Sequence, residues 1–192
     1  MLINLLNQYV PYNEQEAQDL TLFKWFLNRN SDAYDRENLA AHVTSSAIIL
    51  NQTHDKVLFI HHNIYNSWGW VGGHNDGEKD CLKVALKEAK EETGLNDFKI
   101  IDEHIFMVDV VYVPNHIKNG SFISDHLHLN VTYLLEANDT QILSIKPDEN
   151  TGVKWFDLNK IIDVTKEERM KPIYQKAIDK INQLSNEKHH KI

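Results

Sequence analysis

The stretch GGHNDGEKDCLKVALKEAKEETGL, residues 72–95, sets paired glycines ahead of an amphipathic run and closes that run with another glycine. From about Asp80 to Thr93 the apolar residues recur at helical spacing, and Gly94 supplies the stop. On a wheel of about 100° per residue with Glu88 at the origin, Glu91 falls near about −60° and Glu92 near about +40°. The carboxylates of Glu88, Glu91 and Glu92 therefore share one arc. Leu82, Ala85, Leu86 and Ala89 form an adjacent apolar arc, and Lys83, Lys87 and Lys90 gather on the remaining side. Like charges three and four apart repel by about 0.2–0.5 kcal/mol per pair, a strain that a cation relieves. Carboxylate oxygens suit Mg²⁺ or Mn²⁺, the former keeping waters and substrate phosphates in its shell. A bare Glu-x-x-Glu-Glu more often marks a solvated helix face. Gly72-Gly73 changes the weight of the pattern, because it lets the backbone turn tightly or approach a ligand just ahead of the acidic helix.

Working outward, His42 to Leu50 and Lys56 to His62 read as two strands joined by a turn over Asn51 to Asp55, a hairpin. Glu14 to Asn28 reads as an amphipathic helix with Asn13 or a neighbour as its cap. Beyond the acidic helix, Phe98 to Val113 and Phe122 to Leu135 read as strands separated by an exposed loop containing Pro114, Asn119 and Gly120. Val153 to Phe156 makes a short strand, and Val164 to Leu184 a final helix with Met170, Ile173, Tyr174, Ala177, Ile178 and Ile181 on one side. The class is α/β. One domain is expected over residues 41–186, with residues 1–40 as a helical extension packed on it and residues 187–192 as a frayed tail.

The chain has 192 residues, 42% of them apolar, and a formal net charge of −8. No stretch gathers enough Lys and Arg to hold a nucleic-acid polymer. A small phosphorylated ligand is compatible with that charge, since a bound divalent ion reverses the local field. Cys81 is the single cysteine, so there is no internal disulfide and no cysteine pair for a structural zinc; a reducing, cytoplasmic setting fits. The opening Met1-Leu2-Ile3-Asn4-Leu5-Leu6 lacks a basic n-region and is broken by Asn, so it does not read as a signal peptide. Nowhere do 18 or so apolar residues run together, so no membrane span is expected.

Residues Gly73 to Leu95 resemble the Nudix box. That pattern runs Gly, five residues, Glu, seven residues, Arg-Glu, an apolar residue, any residue, Glu-Glu, any residue, Gly and an apolar residue, and the spacing here matches without a gap. Gly73, Glu88, Ala89, Glu91, Glu92, Gly94 and Leu95 agree with it. Two positions depart: the first Glu of the pattern falls on Lys79, with Asp76, Glu78 and Asp80 nearby, and its Arg on Lys87. A lysine keeps the charge but loses the planar fork that orients the glutamates. Trp68 to Gly77 is also similar to a bacterial subgroup carrying Gly-Gly-His-x-Asp-Gly.

The resemblance implies an α/β/α sandwich around a mixed β-sheet, with the N-terminal helical extension and C-terminal helix added to it. It also implies a Mg²⁺-dependent hydrolase, with Mn²⁺ able to substitute, that cleaves a diphosphate linkage in a nucleoside diphosphate derivative or a nucleoside triphosphate. Glu88, Glu91 and Glu92 are then the metal-binding and catalytic acids, with Glu149, beside Asp148, the candidate for a further ligand or base. Gly73, His74 and Lys87 fall on the substrate side of the box. His126, His128 and Asn130 alternate along one strand and so share a face that can line the substrate cavity. Trp70, with Trp68 and Tyr112, can stack on a base, although aromatics near a sheet are more often core. Cys81 reads as a small packed residue, and His61-His62 and His189-His190 as strand terminus and tail. The partner is a small, nucleotide-like phosphorylated substrate, neither polymer nor membrane, and a homodimer through the N-terminal helix is left open. Two other readings compete: a non-catalytic nucleotide sensor on the same fold, and an isomerase of isoprenyl diphosphates, whose catalytic cysteine context is absent.

Overall fold

The computed structural model describes residues 1–118 and 120–189, the side chains of 187–189 excepted. Strand β1 (Ala41–Leu50) is buried along its whole length and organises a seven-stranded mixed sheet. It runs parallel to β8 (His126–Glu136) and, at Ile49 and Leu50, antiparallel to the start of β2 (Lys56–His62). Its middle also pairs antiparallel with β4 (Val71–His74), from Thr44 opposite His74 to Ala47 opposite Val71. Strands β3 (Ser67–Gly69) and β9 (Asn150–Asp157) flank β2, and β5 (Lys99–Val113) lies antiparallel outside β8.

Successive residues of a strand point to opposite faces, and β1 shows the consequence. Val43, Ala47 and Ile49 enter one core with Cys81, Ala85 and Ala89 of α3 (Cys81–Thr93), whereas Ile48 and Leu50 enter a second core with Ile173, Tyr174, Ala177 and Ile181 of α5 (Lys171–His189). Helices thus cover both faces of the sheet. Helix α3 starts where the Asp80 carboxylate accepts the Lys83 amide at 3.1 Å and stops at Gly94, whose φ of +74° suits a residue without a Cβ.

The N-terminal helices α1 (Leu2–Gln8) and α2 (Glu14–Leu27) add Leu2, Leu6, Leu20 and Phe23 to the first core. Asn13 caps α2 by accepting the Glu16 amide at 2.9 Å. From α2, Glu16 accepts the Val108 amide at 3.0 Å and Asp19 the Val110 amide at 2.9 Å, so side-chain oxygens satisfy donors along the outer edge of β5. Lys176 of α5 reaches the same place, 3.0 Å from Glu16 and 2.7 Å from Asp109, all three residues being buried.

Several elements differ from the sequence expectation. The glycine-rich stretch before α3, in which no strand was read from the sequence, contains β3 and β4. The segment 114–125 carries a small hairpin, β6 (His116–Lys118) with β7 (Ser121–Ile123); Asn119 lies outside the described residues. Residues 158–164 form a 3₁₀ turn and the single turn α4 (Ile161–Val164), and α5 begins only at Lys171, next to Pro172, which suits a first helical turn. That helix runs through Asn186 to His189, and residues 190–192, part of the expected tail, lie outside the described residues. Among the described residues no helix is long and apolar enough to cross a membrane.

Candidate functional site

The acidic arc of α3 is laid against β4. The Gly72 amide donates to the Glu92 carboxylate at 2.9 Å. At Gly73 an added Cβ would stand 2.6 Å from the Glu88 Cδ, so the bare glycine backbone forms the seat of that carboxyl group. The two glycines thereby position two glutamates one helical turn apart. Glu88 and Glu92 are 7% and 2% exposed, whereas Glu91 faces solvent. Burial raises the Glu92 carboxyl to about 8, the nearby charges of Glu88 and Glu149 add to that shift, and the Gly72 amide opposes it. Such a buried carboxyl group, crowded by other acids, gains from a cation.

Two lysines supply positive charge beside these acids. Lys87 lies 3.0 Å from Glu88 and 3.4 Å from Glu91. It therefore sits beside the carboxylates, at the place where the family pattern has arginine. Lys146 bridges Glu91 at 2.9 Å and Glu149 at 3.0 Å, and its ion pair holds the Glu91 carboxyl below the usual carboxylate range. Lys146 thus links the expected outlying acid Glu149 to the helix. Nothing in the sequence singled it out. Asn150, next to Glu149, donates to the Glu92 carbonyl at 3.0 Å and ties β9 to the last turn of α3. Lys79 takes no part in these contacts; its amide and that of Asp80 are accepted by the Glu78 side chain, which also pairs with Lys83 at 2.5 Å.

Four histidines assemble on the other side of β4. Gly73 and His74 are adjacent in the strand, so with Gly73 facing α3 the His74 ring projects to the opposite face of the sheet. There it lies 5.0 Å from the His42 ring and 4.9 Å from the His128 ring, centroid to centroid. His126 and His128 approach through their Nε2 atoms at 3.2 Å. Farther along the same face, Asn130 accepts hydrogen bonds from the Thr44 and Ser46 hydroxyls, both at 2.9 Å. Sequence periodicity foresaw the shared face of His126, His128 and Asn130. It missed His42, because only the pairing of His42 opposite His128 in the ladder joins it to them.

The aromatic candidates are distributed differently. The Trp70 ring packs edge-on against Tyr174 at 5.4 Å, and its amide donates to the Tyr174 hydroxyl at 3.2 Å. Trp68 packs against Phe156 and His61. Tyr112 donates to Asp125 at 2.7 Å on the exterior. Cys81 is buried, its Sγ 3.4 Å from the Asn75 amide nitrogen, and burial raises its thiol above the ordinary range. A packed residue fits that setting better than a nucleophile.

A family model described as NUDIX domain matches residues 41–180. None of the curated proteins matches the chain. Among solved structures, a C. elegans Ap4A hydrolase binary complex is similar with a TM-score of 0.52 at 16% identity, over 70% of this chain and 93% of that one. The E. coli dihydroneopterin triphosphate pyrophosphohydrolase gives a TM-score of 0.53 at 15% identity, over 71% and 94% of the two chains. A NUDIX family hydrolase from Clostridium perfringens gives 0.52 at 19% identity, over 74% and 97%. At these identities the structures establish the fold, and the family match is carried by the sequence itself. With its mixed sheet between helices and the Glu88–Glu92 arc seated on paired glycines, the chain belongs to the NUDIX domain family of pyrophosphohydrolases.

Proposed function

We propose that the protein hydrolyses the diphosphate linkage of a small nucleoside diphosphate derivative or nucleoside triphosphate in a Mg²⁺-dependent reaction, with Mn²⁺ able to substitute. The observation that carries this reading is the seating of Glu88 and Glu92 against Gly73 and Gly72, with Glu91 on the open side of the same helix. The donor set consists of carboxylate oxygens, which fit a hard divalent cation better than a soft one. The buried Glu92 carboxyl, crowded by Glu88 and Glu149, is the kind of group that such an ion stabilises in its charged form.

Glu88, Glu91 and Glu92 are assigned to hold the ion, which when bound neutralises phosphate charge, polarises phosphorus and lowers the pKa of a water. The chain's own residues supply the rest. Gly72 fixes the Glu92 carboxylate through its amide, and the bare Gly73 backbone fixes Glu88. Glu149, joined to Glu91 through Lys146, is assigned as a further ligand or as the general base that takes a proton from the attacking water. Lys87 and Lys146 keep positive charge beside the acids, where it can meet phosphate oxygens. His74 on β4 and His126 and His128 on β8 share the face of the sheet opposite α3 and are assigned to the substrate wall.

The test is a coupled phosphate-release screen with Mg²⁺ and then Mn²⁺ over nucleoside triphosphates, nucleotide sugars and dinucleotides, comparing the native chain with Glu92→Gln. Turnover that the substitution abolishes supports the hydrolase. Tight nucleotide binding without turnover of any compound supports a sensor on the same fold instead.

A further inference from the structure

His42, His74 and His128 bring one nitrogen each to within 4.8 Å of one another, from three neighbouring strands of the sheet. We propose that this cluster, with His126 as the fourth donor, is a binding site for a borderline transition-metal ion of the zinc class, separate from the carboxylate site on α3. Imidazole nitrogens suit such ions, whereas Mg²⁺ prefers the oxygens on the far side of β4.

The ring orientations support the assignment. His42 Nδ1 lies 3.1 Å from the Asn38 carbonyl and His126 Nδ1 lies 2.8 Å from the Ser124 carbonyl. A carbonyl only accepts, so both rings carry their proton on Nδ1 and present a bare Nε2, the arrangement in which backbone carbonyls orient metal-ligating histidines. His42 is 4% exposed, yet its Nε2 has no hydrogen-bond partner. A buried polar atom of this kind ordinarily finds a partner.

Spacing agrees as well. Zinc–nitrogen bonds of about 2.0–2.1 Å in a tetrahedron put ligand nitrogens about 3.3 Å apart. The Nε2 atoms of His126 and His128 already stand at 3.2 Å. The His42 ring centroid lies 5.0 Å from those of His74 and His128 and 5.1 Å from that of His126, close enough for the four rings to share one ion. Burial shifts His42, His74 and His128 toward the neutral form that a metal requires, with Arg36 adding to the shift at His42 and His74, the latter lowered to about 3. Arg36 itself is engaged by Asp76, its Nε 2.6 Å from Oδ1, which limits its repulsion of a cation.

The cluster shares His74, His126 and His128 with the proposed substrate wall, so its test reads metal binding alone and does not depend on turnover. The full chain is stripped with a chelator and titrated with Co²⁺ followed by visible absorption, then with Zn²⁺ by calorimetry. The native chain is expected to take one Co²⁺ with the intense absorption of a tetrahedral nitrogen-ligated ion, and Zn²⁺ to displace it. Glu88→Gln with Glu92→Gln is expected to leave that signal intact. His74→Ala and, separately, His128→Ala are expected to weaken it by more than about 100-fold, since losing partners that merely orient ligands already weakens binding by about 10–100-fold. A weak octahedral spectrum in the native chain, which involves no variant, overturns the proposal. So does a signal lost in the glutamate double variant or unchanged in both folded histidine variants.

Discussion

The backbone amide of Gly72 and the carboxylate of Glu92 meet at 2.9 Å, while Gly73, the next residue, turns its missing side chain toward Glu88. The two glycines are therefore expected to respond differently to alanine. At Gly72 a Cβ would stand 2.8 Å from both the Ser45 carbonyl oxygen and the Ser46 Cα, fixed backbone of β1 that cannot yield. At Gly73 it would meet the Glu88 side chain, which can swing away. Gly72→Ala should lower stability by about 1–3 kcal/mol through overpacking. Gly73→Ala should leave the melting temperature nearly native and reduce turnover at least about tenfold, in keeping with the loss of positioning at a reacting centre. Thermal melts and the phosphate-release assay on the two variants separate these outcomes.

Where periodicity and a glycine stop coincide, the sequence was readable to within a residue. Asp80, the alternation of Ala85 and Ala89 with Glu88 and Glu92, and Gly94 define α3, and all act within one helix. Strand β4 was hidden because Gly72 and Gly73 carry no side chain from which a period of two could be read; its identity comes from pairing with β1. Helix α1 spans only seven residues, too short to be stable alone, and owes its form to the burial of Leu2 and Leu6. Lys146 was invisible for a related reason: it is a loop lysine, and only the return of the chain into β9 brings it to Glu91. The histidine cluster needs three strands in register, which no local window contains.

Lys146 competes with any cation for Glu91, since its Nζ lies 2.9 Å from one Glu91 oxygen and 3.0 Å from Glu149. Lys146→Met removes that competitor while keeping an apolar stem of similar length. Affinity for Mn²⁺, measured by electron paramagnetic resonance in the absence of substrate, is expected to rise a few-fold, as removal of a nearby like charge strengthens cation binding. Unchanged or weaker Mn²⁺ binding would place the ion away from Glu91.

The α2–β5–α5 junction depends on Lys176, buried between Glu16 and Asp109. Lys176→Met leaves two buried carboxylates without their shared cation. Breaking a buried pair by removal of one partner typically costs about 3–5 kcal/mol. Urea unfolding is expected to show a loss of that size, with the N-terminal helices becoming sensitive to limited proteolysis before the sheet does. A loss below about 1 kcal/mol would mean that α2 is held by its apolar face alone.

Asp109 gives the junction a predictable dependence on pH. Burial raises its carboxyl to about 6 although Lys176 opposes the shift, and its Oδ2 has no hydrogen-bond partner. The native state therefore binds this proton more tightly than the unfolded chain, whose aspartates titrate near about 3.9. The corresponding stability is fully present below the unfolded value and is lost as pH rises through about 6, the opposite of an exposed salt-bridged aspartate. A shift of about two units corresponds to roughly 3 kcal/mol at most between pH 4 and pH 7. Asp109→Asn fixes the side chain in an uncharged form and removes the titration. Subtracting the variant's unfolding free energy from that of the native chain at each pH should give a difference that falls across this interval and levels off above it. A difference that is flat, or that grows with pH, would show that Lys176 holds Asp109 ionised throughout.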